Sequence, residues 1–202
     1  MRALRKCPWP ILAITALVLV YGVHIIAVNR SIIHTDCSRL EADLQPNGQE
    51  VAHFASRISD ITRRNEGVPQ YFLYLDDPDY ERLYTSATDH SDLALRALAG
   101  AGLSEEESVV LTFAMRGLST GEFLDFSEEV LRLRHCGWVS SDLVLHLLMM
   151  PFTDRSPLDD WFWHPRAQAL LRYFRSDPSL SAESRQGLTR MLWGDRWNPL
   201  YW

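Results

Sequence analysis

Between Ile11 and Val28 the chain reads ILAITALVLVYGVHIIAV, a run without a single Asp, Glu, Lys or Arg. Thr15, Gly22 and His24 are the few interruptions of its apolar character. As a helix rising about 1.5 Å per residue, it spans roughly 27 Å, close to the hydrocarbon thickness of a bilayer. No other stretch restricts the fold as much. The expectation is a transmembrane signal-anchor over residues 11–28, a cytoplasmic stub over 1–10 and one extracytoplasmic domain over 31–202.

Direction follows from charge. Arg2, Arg5 and Lys6 precede the run, whereas Arg30 and Arg39 are the nearby bases beyond it, with Asp36 between them. Basic residues stay on the cytoplasmic side, so the domain is expected outside. In a bacterial cell that is a single-pass inner-membrane protein with its carboxy-terminal domain in the periplasm. Trp9 and Asn29-Arg30 suit the two interfaces, and Pro10 suits a first helical turn. A cleaved signal peptide is the rival reading. Its apolar region is normally 7–15 residues, followed by a small-x-small site. Here the run is longer, and a cut after Ala27 would put Ile25, a poor fit, at position −3. His24, inside the span, is read as a neutral histidine reaching the interface; intramembrane ionisable groups otherwise mark function.

All 26 acidic residues follow position 30, against sixteen of the 20 basic ones. That balance argues against nucleic acid and anionic lipid headgroups as partners. It suits a basic protein partner, although solubility alone accounts for such a charge. Cys37 and Cys136 lie in the part expected to be oxidising. They either bridge the start of the domain to its middle or remain two separate thiols.

The rest is punctuated helix. Val51, Phe54, Ile58 and Ile61 recur at helical spacing. Tyr71 to Leu75 has strand-like composition but no partner run, and reads as an extended connector. Asp76-Asp77-Pro78-Asp79-Tyr80-Glu81 invites a calcium reading but lacks the EF-hand spacing. Asp77 as an N-cap with Pro78 at the first helical position is simpler. Ser91 is expected to cap a helix, and Ser104 to Glu107 and Ser119 to Glu122 are capping boxes. Ser140-Ser141-Asp142, Ser156-Pro157 or His164-Pro165, and Ser181 start further helices, while Met149-Met150-Pro151 and Asp177-Pro178 end two. The fold expected is all-α: the anchor, then six to eight short helices arranged as a bundle or as a helical-hairpin array.

Catalytic patterns are sparse. Asp159-Asp160-Trp161-Phe162-Trp163-His164 is the best enzymatic candidate, because carboxylates beside tryptophans serve sugar clefts. Adjacent helical residues point about 100° apart, however, so a helix start with core aromatics explains the same letters. Asp89-His90-Ser91 holds triad residue types in a row, an arrangement a spatial triad seldom takes. His135, Cys136 and His146 fit no zinc spacing, and no metal or cofactor is expected. Trp197, Tyr201 and Trp202 crowd the carboxy terminus, either packed on the domain or forming a partner surface. Three functions remain as expectations. The first is a membrane-anchored protein-interaction module, such as an immunity protein against a periplasm-acting toxin. The second is an envelope-assembly or division component. The third is a cell-wall carbohydrate enzyme using residues 159–164.

Overall fold

The structure is a computed structural model that describes residues 9–45, 48–66, 77–153 and 164–193. Asp159, Asp160, Trp197, Tyr201, Trp202 and the connector expected over 71–75 lie outside these residues. Within them the chain forms ten α-helices and no strand. They are α1 (Trp9–Ile33), α2 (Cys37–Leu44), α3 (Gln49–Arg64), α4 (Pro78–Thr85), α5 (Ala87–Gly100) and α6 (Glu105–Ala114). After a 3-10 turn at Met115–Gly117 come α7 (Thr120–His135), α8 (Ser141–Thr153), α9 (Pro165–Arg175) and α10 (Ala182–Trp193). The all-α class is as expected. Nine described helices follow α1, beside the six to eight anticipated, and α2 and α4, with eight residues each, are the shortest. Each has its own aspartate cap, Asp36 or Asp77.

Local chemistry sets most boundaries. Ser104 and Ser119 each accept a hydrogen bond from the backbone N–H three residues on, and Glu107 and Glu122 reach back to the cap N–H. Both boxes thus satisfy donors that a helix start otherwise leaves orphaned. Ser140 and Ser181 cap α8 and α10 through the N–H groups of Leu143 and Ser184. Two boundaries differ from expectation. Ser91 does not start α5, which begins at Ala87; its hydroxyl donates to the Thr88 carbonyl inside the helix. Nor does Pro151 stop α8, which continues to Thr153. A proline so close to a helix end forfeits a single backbone hydrogen bond.

One contiguous apolar core binds these elements. α7 lies at its middle and packs against α1, α5, α8 and α9. α3 and α5 pack together, and α6 rests on α3 and α8. The contact that decides the architecture is α1 against α9, which joins the two ends of the chain. In a linear array each hairpin touches only its neighbours. Closure of first on ninth helix makes this a bundle. Gly117 is required where the 3-10 turn passes α4: a Cβ there would stand 1.9 Å from the Tyr84 carbonyl oxygen.

α1 has two halves. Residues 12–20 are all exposed. From Tyr21 one face becomes partly covered, and Val28 and Ile32 are buried in the core. The helix continues unbroken through 28–31, so the boundary drawn from sequence falls inside it. His24 meets His164, at the start of α9, with ring centroids 6.5 Å apart. The buried positions of α1 all lie beyond His24, so α9 runs alongside it in the same direction.

Candidate functional site

The most elaborate polar arrangement in the bundle sits where α1 joins it. Ser31 is on α1, Asp125, Glu128, Glu129 and Arg132 are on α7, and Arg166 is in the first turn of α9. Glu128 is 7% exposed. Its Oε1 accepts from the Ser31 hydroxyl at 2.5 Å and from Arg132 Nη2 at 3.2 Å. Its Oε2 accepts from Arg166 Nη2 at 2.7 Å and Nε at 3.0 Å. Arg166 also donates to Asp125 at 2.5 Å, and Arg132 to Glu129 at 2.8 Å and to the Ser31 oxygen. A buried carboxylate is tolerable when charged donors surround it in this way.

The network also fixes protonation. Burial alone would raise Glu128, but the hydrogen bonds from Ser31 and Arg166, with both guanidinium charges, outweigh it and hold the carboxyl below its usual range. Arg166 is held above its usual value: burial opposes this, and its bonds to Glu128 and Asp125 prevail. Glu129 moves the other way, raised by burial and by the charges of Glu128 and Asp125 despite Arg132. Each oxygen of Glu128 already accepts two donors. Such a group is a poor general base, and its chemistry is to hold three helices in register.

Two further ties brace the junction. Cys37, the first residue of α2, is disulfide-bonded to Cys136 at the end of α7, with Cα atoms 5.6 Å apart. At that end of α7, Arg134 pairs with Asp177 at 3.0 Å and also reaches Ser179, linking α7 to the loop after α9. The Arg134 bonds and those from Ser179 hold Asp177 below its usual range against the opposing effect of burial. α1 is therefore welded to the bundle rather than tethered to it.

His164 is the part of the enzymatic candidate that can be placed. It is exposed, and its Nδ1 accepts from the Arg166 N–H at 3.3 Å as the cap of α9. Burial, with the charges of His24 and Arg166, lowers its pKa. Asp89, His90 and Ser91 are consecutive on α5, where His90 lies against Phe54 and Ser91 bonds within the helix, so they do not converge. The spacing argument against zinc gains a covalent reason, since Cys136 is occupied by its bridge. Among the described residues no three His, Cys, Asp or Glu side chains gather as a metal site. The acidic stretch after Asp76 is accounted for in part by Asp77. It caps α4 and takes Arg64 Nε at 3.0 Å and Asn65 Nδ2 at 3.1 Å.

Sequence reading missed the junction network and an open cleft of about 430 Å³ lined by Leu98, Leu103, Ser108, Trp138 and Leu143. The network had a legible signal. Leu124, Glu128 and Leu131 recur at spacings of four and three, so Glu128 occupies a buried phase of α7. No family model, curated protein or solved structure matches this chain.

Proposed function

We propose that this chain is a single-pass membrane protein that presents its helical domain as a protein-interaction module on the periplasmic face of a bacterial inner membrane. One observation carries the membrane part. Every large hydrophobic side chain that is widely exposed among the described residues lies on α1: Leu12, Ile14, Leu17, Val18, Leu19, Val20, Val23, Ile26 and Ile33. A contiguous apolar surface of that kind needs lipid or a partner. α1 is long and apolar enough to cross a bilayer, with a mean hydropathy of 2.1 over an 18-residue stretch within Leu12–Ile33. It differs from a buried core helix because only 6% of its most apolar 18-residue stretch is buried.

An uncleaved anchor is favoured by packing. A cut after Ala27 would strip Tyr21, His24 and Ile25 from the bundle and leave Val28 at a chain end. The interaction reading rests on the acidic excess beyond residue 30 and on a polar network that is structural rather than reactive. Within that reading, the partner is a basic periplasmic protein, and neutralising a toxin is the biological role proposed.

The test is co-expression of the full chain with exported products of neighbouring genes. The reading expects a basic product that is toxic alone, is neutralised by this chain, and is released from it at high salt, where surface charge is screened. If no product is toxic and loss of the chain instead weakens the envelope, the assembly or division role replaces it.

A further inference from the structure

The anchor is too short for a bilayer if the domain stands clear of the lipid. Thirteen residues, Ile11 to Val23, precede the point where His24 meets His164. At about 1.5 Å each they span roughly 20 Å, against a hydrocarbon core of about 30 Å. A helix on a loose linker would slide outward to make up the difference. α1 cannot, because Val28 and Ile32 are buried, Ser31 is bonded to Glu128, and Cys37 is bridged to Cys136. Tilting would shorten the span further, which leaves a thinned bilayer or a domain drawn into it.

The uncovered face of α1 favours the second. Val23, Ile26 and Ala27 remain exposed on the side away from α9, and the first charge is Arg30, also exposed. On that side the apolar surface extends about four residues, roughly 6 Å, past the level at which the domain begins. Lipid that covers Ala27 on one side must meet the end of the bundle on the other. Among the described residues, the charges of Arg166, Asp125 and Glu128 beside it are paired. That suits the headgroup layer better than bulk hydrocarbon.

We infer that the end of the bundle bearing His164 and the start of α9 is a lipid-contacting foot, seated at the boundary between headgroups and acyl chains on the domain's side of the membrane. This rests on the membrane-anchor reading above. It fixes the domain's height and orientation, so a partner must be reached at the membrane surface.

The test uses the full chain with Cys7→Ser, so that no free native thiol remains, in phosphatidylcholine vesicles. A nitroxide is attached at one introduced cysteine at a time: Val18→Cys, Ala27→Cys, His164→Cys or Glu183→Cys. Collision with oxygen reports lipid, and collision with a water-soluble nickel chelate reports solvent. The label at 18 should be oxygen-accessible and at 183 nickel-accessible. Labels at 27 and 164 should show nickel accessibility roughly threefold or more below that at 183, as expected at the headgroup boundary. Ala27 stands on an exposed helix face and keeps the test decisive if loss of the His164 cap disturbs α9. If 18 is in lipid while 27 and 164 match 183, the foot is refuted and the anchor stands. If 18 itself is nickel-accessible, the anchor reading fails and takes the foot with it.

Discussion

Replacing Glu128 by alanine should be among the costliest single changes in the bundle. The side chain accepts four hydrogen bonds, three of them from guanidinium groups. Hydrogen bonds involving charged groups contribute about 1.5–3 kcal/mol each in isolation, and breaking a buried ion pair costs about 3–5 kcal/mol. Two features reduce this. Arg166 and Arg132 are 27% and 30% exposed, so water solvates part of each, and both keep a second carboxylate, Asp125 or Glu129. A loss of about 3 kcal/mol is the resulting estimate. For a protein of this size that corresponds to a fall of about 6–12 °C in melting temperature. Circular dichroism of the full chain in detergent, by heating or urea titration, measures it. Asp125→Asn is the control, because Asp125 is 68% exposed and should cost under about 1 kcal/mol. Combining Glu128→Ala with Ser31→Ala should cost less than the sum of the two, since they share a bond. If Glu128→Ala is no worse than Asp125→Asn, the network does not brace the junction and the argument for a rigid anchor loses its main support.

Three further outcomes are expected. Joint replacement of Cys37 and Cys136 by serine removes a crosslink between residues 99 apart and should cost about 4–5 kcal/mol, read from the urea midpoint. Gly117→Ala should destabilise strongly, because its methyl group would collide with the Tyr84 carbonyl. Gly121→Ala, with open space around it, should be neutral or gain up to about 1 kcal/mol in melting experiments. Stability should fall on acidification in two stages. Burial lowers the His146 pKa below its ordinary 6.5, so the folded state binds fewer protons than the unfolded, and stability declines as pH drops below 6.5. Asp77, Glu128 and Asp177 are also lowered, so their contribution is present above the ordinary carboxylate values of 3.8 and 4.5 and is lost below them. His164 is lowered likewise, so His146→Leu should reduce but not abolish the first stage in urea midpoints measured from pH 7.5 to 5.

Much of this molecule was legible one helix at a time. The caps at Asp77, Ser104 and Ser119 are short-range chemistry, written within four residues, and they appear where the sequence puts them. Ser91 misled because a serine in a first-turn context can equally bond back inside a helix. What the sequence withheld is long-range. Nothing near Ser31 announces that Glu128 and Arg132 on α7 will meet it, and nothing near His24 announces His164. Spacing along one helix says which face is buried but not against what. By hydropathy the apolar run reads as an anchor over 11–28, whereas burial of Val28 and Ile32 shows the same helix entering the core. That second role is invisible in hydropathy, since lipid and protein interior select the same side chains.

The central claim is that α1 is an uncleaved anchor holding the domain on the far side of the membrane. Its most direct test is labelling of spheroplasts with a membrane-impermeant maleimide, using native Cys7 and an introduced Ser181→Cys as the two reporters. Ser181 is exposed at the start of α10, and Cys7 precedes the apolar run. The account expects an intact chain that stays with the membrane after alkaline carbonate, with position 181 labelled at once and Cys7 labelled only after permeabilisation. A soluble chain beginning after Ala27, or Cys7 labelled from outside while position 181 is protected, would contradict it.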